Sequence, residues 1–290
     1  MPKKSALFLA VVSLALIKLP AQTEEPGGVV EWDRGELSVV VSVNIKEAGI
    51  KLPAGRSRAE GLLEDSYPAL VRKILLGLQA DSSSTLEDLV NRGELSPGAA
   101  DALAFRALRV PPALSPDLSV ISARYSLGLH TVRAALKKHT RLGEPPFPLV
   151  PHRAPDYTGI IIIADESLPV HGRNAGALVV PCLFPKIWNS DMELVYDKSM
   201  SDSGEGVVWY ASRESVLAGN PSGLDEKLLS LAGTNPLRIM ARGVFGSVPT
   251  DPVIDREDAL AILSSETNRR LLREGRVVLV LDKNTLKTKL

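Results

Sequence analysis

A proline-rich segment divides this chain of 290 residues into two parts. Its five prolines are Pro145, Pro146, Pro148, Pro151 and Pro155. Prolines at this density keep a chain stiff and extended, which favours a linker over a helix or a central strand. The sequence therefore predicts a first module over residues 29–140, a linker over residues 141–155 and a second module over residues 156–282.

Two segments of the first module have the alternation of a strand. In GELSVVVSVNI, every second residue from Leu37 to Ile45 is apolar. ISARYSLGL, residues 121–129, alternates in the same way. A period of two places one face of a strand on a core and the other towards water. We therefore expect two half-buried strands here.

Between and after these strands the apolar spacing is helical. From Ala59 apolar residues recur every three or four positions, which predicts an amphipathic helix that Pro68 should kink or divide. Ser84, followed three residues later by Glu87, predicts a capping box at the start of another helix. HTVRAALKKH, residues 130–139, predicts a further helix.

The second module alternates strands with helices. Ile160–Ile163 and RVVLVLD predict its first and last strands, and LRIMARGVFG, residues 237–246, predicts one long strand. We expect a turn between two strands at Asn189–Met192, and a helix capped by Asp255. The polar tail, residues 283–290, is expected to fray. These patterns predict the α+β class, with two small modules that each pack a mixed or antiparallel sheet with helices.

The N-terminus has the pattern of a secretory signal peptide. Lys3 and Lys4 precede an apolar stretch that ends in Leu-Pro-Ala, so residues 1–21 predict a signal peptide and a mature chain that starts near Gln22 in the periplasm. The alternative is a retained membrane anchor. Lys18 interrupts the apolar run and leaves it shorter than the roughly 20 residues that span a bilayer.

The composition excludes two classes of protein. Lys plus Arg and Asp plus Glu both total 34, and aromatic residues make up only 4% of the chain. A chain without excess positive charge or stacking aromatics is not expected to bind nucleic acid. Cys182 is the only cysteine, so an internal disulfide is excluded, and its apolar neighbours in LVVPCLF predict a buried, unreactive thiol.

The strongest candidate for chemistry is an acidic segment after the strand at Ile160–Ile163. Asp165, Glu166 and His171 suit a metal site or an acid/base pair at a strand end. The alternative is a turn in which the acids leave the core together with the strand. Adjacent residues of a strand point to opposite faces, which favours the turn. Since the chain also has no G-x-S-x-G, H-E-x-x-H or P-loop motif, we assign no catalytic residue and no metal ligand.

Three further segments have both a functional and a structural explanation. DSSSTLED, residues 81–88, suits an anion at a helix N-terminus, but helix capping is favoured. Trp188, Trp209 and Tyr210 suit a sugar or partner surface, although the last two alternate in a strand and only one should be exposed. RRLLREGR, residues 269–276, suits an anion site, but a solvated helix face is favoured.

The second module resembles a module of bacterial envelope proteins, namely the flagellar outer-membrane-associated proteins FlgP and FlgT and their lipoprotein relatives. The order of segments that carries this resemblance is DYTGIIIIADESLPV, ALVVPCLFPKIWNSDMELVYD, GVVWYA, NPLRIMARGVFGSVPTDPVIDREDALAIL and RLLREGRVVLVLD. A Tyr-Thr-Gly strand opens the pattern, a proline-flanked segment like Pro181–Pro185 leads to a hairpin that ends at Tyr196, and a Gly-Arg-Val strand closes it. The first module is less similar to the same proteins.

The resemblance implies a non-enzymatic structural or assembly protein of the cell envelope, with no cofactor. Its partners would be further copies of itself or envelope and flagellar basal-body proteins, and its interaction surface would include sheet edges and Pro181, Phe184, Pro185 and Trp188. Several relatives are lipoproteins, and this chain has no cysteine near the cleavage point to carry a lipid, so no direct membrane anchor is expected after cleavage. Two alternatives remain: a module that binds a periplasmic ligand or partner, and a hydrolase that uses the acidic segment after Ile163.

Overall fold

The computed structural model describes residues 27–136, 145–149, 152–201, 208–217 and 224–290. The predicted signal peptide (residues 1–21), the predicted mature start at Gln22 and the end of the helix predicted over residues 130–139 lie outside the described residues, as do parts of the predicted linker. Helices and strands in two domains confirm the α+β class. In the described part of the chain, no helix is both long enough and apolar enough to cross a membrane.

The first module packs helices on one face of an antiparallel sheet. Its elements are β1 (Gly27–Glu31), β2 (Glu36–Asn44), α1 (Arg56–Leu76), α2 (Leu86–Asn91), α3 (Pro97–Ala104), β3 (Leu108–Arg109), β4 (Ala113–Leu114), β5 (Val120–Gly128) and α4 (Leu129–Leu136). The strands run in the order β1-β2-β5-β3, with β4 also beside β5. Alternate residues of β2 and β5 are buried, as their sequences predicted, and α1 packs against both strands.

The helix α1 continues through Pro68 and is not divided there, in contrast to one of the two outcomes we expected. A proline removes one backbone hydrogen bond from a helix interior. Leu63 precedes the proline, and Val71 and Leu75 follow it; all three are buried on the side that faces the sheet. Burial on both sides of Pro68 holds the helix together.

The capping box of α2 lies one residue later than predicted. Thr85, and not Ser84, is the N-cap residue, and its partner is Asp88 instead of Glu87. The Thr85 hydroxyl accepts from the backbone N–H of Asp88, while the Asp88 carboxylate accepts from the backbone N–H of Thr85 at 2.8 Å. Gly93 follows the helix with φ of +72°, a conformation that glycine adopts without strain.

The second module contains a parallel sheet and a mixed sheet. Its elements are β6 (Ile160–Ala164), β7 (Leu168–Pro169), β8 (Gly176–Ala177), β9 (Ile187–Asn189), β10 (Leu194–Tyr196), the 3-10 helix Lys198–Met200, β11 (Trp209–Ser212), α5 (Arg213–Val216), α6 (Glu226–Ala232), β12 (Leu237–Met240), β13 (Gly243–Phe245), β14 (Asp251–Ile254), α7 (Arg256–Leu263), α8 (Glu266–Arg273) and β15 (Val277–Leu281). The mixed sheet has the order β10-β9-β14-β13, and β9 and β10 form the predicted hairpin.

The parallel sheet has the order β11-β15-β6-β12, and both of its faces are covered. Ile161 and Val278 pack with Leu228 of α6 on one face. Ile162 and Leu279 join the main core on the other face, together with residues of α7 and α8. Burial on both faces explains why β6 and β15 are nearly continuous apolar runs and do not alternate.

The segment predicted as one long strand, residues 237–246, forms two strands in two different sheets. β12 is the edge strand of the parallel sheet, and β13 is the edge strand of the mixed sheet. Alternate burial continues from Leu237 through Gly243 and stops only at Val244. The chain changes sheets at Ala241 and Arg242, between β12 and β13, and the alternation of buried residues does not mark that point.

The polar tail does not fray, in contrast to our expectation. Residues Lys287–Lys289 form a strand, β16, which pairs with β1 and becomes the outermost strand of the first module's sheet. Leu286, directly before it, is only 4% exposed. The Trp32 indole N–H donates to the Thr288 hydroxyl at 3.1 Å. The two ends of the described chain thus build one sheet, and one cluster of buried apolar residues runs through both modules.

Candidate functional site

The acidic segment after β6 lies at the carboxyl ends of the parallel strands. Asp165 directly follows β6, and Arg213 directly follows β11. The Asp165 carboxylate accepts hydrogen bonds from Nε and Nη2 of Arg213, the latter at 2.8 Å. Glu166 accepts from the same Nη2 at 3.3 Å. Arg213 thus brings together the two acidic residues, and the sequence analysis had not included it in this site.

The ionisation of this group is unsuited to proton transfer near neutral pH. The hydrogen bonds from Arg213 lower the pKa of Asp165, and they raise the pKa of Arg213. Both changes favour the charged forms of the pair. A general acid or base works best when its pKa lies near the working pH. The lowered pKa of Asp165 lies further from neutral pH than that of an ordinary aspartate, so its carboxylate stays ionised there. The geometry therefore favours a structural ion pair at the strand ends.

His171 belongs to a different part of the second module. Its backbone N–H donates to the Val244 carbonyl at 2.8 Å, and its ring meets the ring of Phe245 edge to face at 6.0 Å. No described contact joins it to Asp165 or Glu166. Among the residues that the structure describes, no group of three or more His, Cys, Asp or Glu side chains is placed to hold a metal ion.

The predicted interaction surface is largely buried inside the chain itself. Pro181, Phe184 and Pro185 are buried, and only Trp188 is partly exposed. The Trp188 indole N–H donates to Asp251 at 3.4 Å. The expectation that this segment forms a surface for partners is therefore corrected: three of its four residues have no exposed face to offer.

What covers this segment is the first module. The backbone N–H groups of Leu183 and Phe184 donate to the carbonyls of Gln79 and Ala80 at 3.0 and 2.9 Å. Arg133 of α4, which is 4% exposed, donates from Nε to the Leu183 carbonyl at 3.2 Å. The proline-flanked segment is thus one of the contacts between the modules, because its extended backbone leaves N–H and C=O groups free to bond across.

The cysteine and the neighbouring tyrosine are interior residues. Cys182 is fully buried, as predicted, and burial raises the pKa of its thiol to about 12. The Tyr210 hydroxyl donates to the Cys182 carbonyl at 2.8 Å. Tyr210 is buried while Trp209 is partly exposed, which confirms that only one of this pair reaches solvent. A thiol with a raised pKa is a poor nucleophile, so this group is structural.

The serine-rich segment, residues 81–88, also has a structural role. Ser83 donates from its N–H and its hydroxyl to the Asp81 carboxylate, both at 2.9 Å, which forms a local turn before the α2 cap. The backbone N–H of Val248 in the second module donates to the Ser82 carbonyl at 3.0 Å. The segment thus combines capping with contact between the modules.

The arginine-rich segment, residues 269–276, is not the solvated basic face that we expected. Arg269 is 6% exposed, and Arg273 forms an ion pair with Glu266. Arg276 donates from Nε to the Leu231 carbonyl at 3.0 Å. Only Arg270, paired with Glu274, keeps a largely exposed side chain. The guanidinium groups therefore hold different elements together and do not share one surface.

An exposed apolar patch lies just after α3, and the sequence analysis missed it. Phe105, Leu108 and Val110, called the 105–110 patch below, are 64%, 75% and 47% exposed. Leu108 pairs with Ser126 of β5 and the Val110 N–H bonds to the Arg124 carbonyl, which places both residues at the edge of the sheet. The sequence signal for the patch was a group of apolar residues directly before the Pro-Pro pair, because the two-residue strand β3 is too short to bury them.

The backbone at the two edges of this sheet is poorly suited to pairing with another strand. β3 has only two residues and is followed by Pro111 and Pro112, which have no N–H to donate. On the opposite edge β16 exposes Lys287 and Lys289. Short strands, prolines and lysines are the features that discourage edge-to-edge association. Our expectation of partners paired through sheet edges is therefore not favoured for this sheet.

Comparison with known protein families finds two matches. Residues 27–135 match the family model of the N-terminal domain of Treponema pallidum Tp0624, and residues 159–283 match that of its second domain. The matches lie in the same order along the chain as those two domains. No curated protein matches the chain. β16, which completes the first module's sheet, lies outside both matched ranges.

Proposed function

We propose that this chain, similar in sequence to two successive domains of Tp0624, is a non-enzymatic structural protein that assembles in the periplasm. Its partners in this proposal are further copies of itself or proteins of the cell envelope, including those of the flagellar basal body that the FlgP/FlgT resemblance implies. No cofactor is required for such a role.

The observation that carries the proposal is the 105–110 patch. Three apolar side chains within six residues are each about half exposed or more. Scattered exposed apolar residues are ordinary, but a group beside a sheet edge is typical of protein–protein contact. Phenylalanine and leucine side chains contribute about 1.5–3 kcal/mol each when fully buried.

The charged groups near the patch keep to the other face of the sheet. Arg109 lies between Leu108 and Val110 in the chain, and its side chain pairs with Glu64 and, at 3.7 Å, with Glu60 on α1. Because adjacent strand residues point to opposite faces, Leu108 and Val110 share the face opposite α1, where their exposed apolar side chains suit a protein partner. Because the edges of the first module's sheet are unsuited to strand pairing, the contact is expected through the apolar side chains of the patch.

Self-association and cross-linking test the proposal. Light scattering at several concentrations should show oligomers, and cross-linking in intact cells should join the chain to itself or to envelope proteins. Alanine at Phe105, Leu108 and Val110 together should weaken the association at least 10-fold, since about 1.4 kcal/mol corresponds to that factor. The matched control is alanine at Leu217 and Met240, which are 67% and 48% exposed elsewhere.

A wild-type chain that stays monomeric at every concentration and cross-links to nothing in the envelope would refute the proposal. The ligand-binding alternative would then be preferred. Equal weakening by the patch variant and the control would instead show that the contact lies elsewhere on the surface.

A further inference from the structure

An apolar groove remains open on the second module between the mixed sheet and α7. It encloses about 700 Å³, and its apolar lining consists of Leu194, Val195, Met200, Ala259, Leu260 and Leu263. Asn189, Glu193 and Arg256 stand at its polar side. Cavities of about 300–1,000 Å³ with an apolar lining and a few polar groups are the usual size and character of binding sites.

A proline-rich segment of the chain itself lies along this groove. Residues 145–149, Pro-Pro-Phe-Pro-Leu, form one of its walls. The Arg269 side chain holds the segment in two ways: its Nη2 donates to the Pro145 carbonyl at 2.6 Å, and its guanidinium lies over the Phe147 ring at 4.2 Å. Arg269 is itself 6% exposed, so this pair of contacts has a fixed position.

The resident segment does not fill the groove. Phe147 is 55% exposed and Leu149 is fully exposed, although both stand beside open apolar volume. The side chains that could occupy the groove therefore point largely into solvent. A segment with exposed apolar side chains gains little from apolar burial, so one that fits the groove better should replace it.

We propose that the groove is a docking site for a proline-rich, extended segment of a partner protein, which takes the place of residues 145–149. Proline-rich chains adopt an extended helix whose carbonyls are free to accept hydrogen bonds. Grooves that recognise them combine an apolar floor with fixed donors and aromatic or cationic contacts. Arg269 supplies both the donor and the cation, as its contacts with the Pro145 carbonyl and the Phe147 ring show. This inference does not depend on the 105–110 patch.

The resident segment competes with any partner. A segment tethered to its own groove acts at an effective concentration of the order of millimolar. Replacing Phe147 by alanine removes the ring that Arg269 holds and leaves the groove itself intact. The substitution should therefore make the groove more accessible to a segment added in trans.

The test uses a fluorescent peptide with the sequence of residues 145–149 and measures its anisotropy with the full chain. We expect the peptide to bind Phe147→Ala at least 10-fold more tightly than wild type. The matched control is Leu118→Ala, which truncates another exposed apolar side chain (54% exposed) outside the groove lining and the 105–110 patch, and which should bind like wild type. Peptides with alanine in place of the phenylalanine, or of the three prolines, should bind at least 10-fold more weakly, and neither peptide change can affect folding of the protein.

Three results would overturn the proposal. The first is no saturable binding to Phe147→Ala, and the second is equal binding of the peptide without prolines. The third is an oligomer of the wild-type chain that Phe147→Ala separates into monomers, because the segment would then come from a second copy and not from a partner. Loss of the 105–110 patch leaves the peptide measurement unchanged, so failure here is separable from failure of the proposed assembly.

Discussion

The C-terminal strand should be essential for the stability of the first module, although it is farthest from that module in sequence. Leu286 is 4% exposed and belongs to the continuous core. The Trp32 backbone N–H donates to its carbonyl at 2.9 Å, and Gly28 and Leu290 exchange backbone hydrogen bonds at 2.9 and 3.2 Å. Replacing Leu286 with alanine removes the buried side chain but keeps the strand.

The expected loss follows from burial. A buried leucine truncated to alanine costs about 2–5 kcal/mol, because apolar contact is lost and a cavity remains. For a chain of this size each kcal/mol lowers the melting temperature by roughly 2–4 °C, so the variant should melt roughly 4–20 °C below wild type. Circular dichroism of the chain during heating measures this shift. Deleting residues 286–290 should lower the melting temperature further, since the backbone bonds to β1 are lost as well.

Leu108→Ala is the matched control, because that leucine is 75% exposed on the same sheet. It should change the free energy of unfolding by no more than about 0.5 kcal/mol. Equal melting temperatures for the Leu286 and Leu108 variants would refute the reasoning, and so would a deletion variant that unfolds like wild type. Either result would mean that the tail does not contribute to the core.

Local patterns in the sequence were sufficient for most elements. The alternation in β2 and β5 and the apolar runs of β6 and β15 are each decided by residues within a few positions, and the structure has strands there. The start of α2 was predicted to within one residue, at Ser84 instead of Thr85, because serine and threonine have the same capping chemistry. Class and element order follow from such short-range rules.

Contacts between distant residues could not be predicted in the same way. β16 pairs with β1 across 256 or more positions, and its Lys-Thr-Lys sequence has no strand pattern of its own. Arg213 meets Asp165 only because β11 and β6 are parallel in one sheet, an order that the sequence did not indicate. The segment from Pro181 to Trp188 was assigned to an interaction surface through the family resemblance, whereas here the first module covers most of it.

Two further predictions concern the export of the chain and the dependence of its stability on pH. Mass spectrometry of the protein isolated from cells should show a mature chain that starts at or near Gln22, and an intact Met1 in the cytoplasm would contradict the periplasmic location. The ion pair of Asp165 and Arg213 should make stability depend on pH. Because the pKa of Asp165 is lowered in the folded chain by its hydrogen bonds from Arg213, the pair stabilises fully above the ordinary pKa of aspartate, and this contribution is lost as the pH falls through the lowered value. Asp165→Asn should therefore unfold at lower urea concentration than wild type at pH 7, and the difference should shrink in acid. Glu166→Gln is the control: that side chain is 74% exposed, so its effect should be smaller at every pH. A difference between wild type and Asp165→Asn that stays constant from neutral to acid pH would show that the side chain acts through its shape and not through its charge.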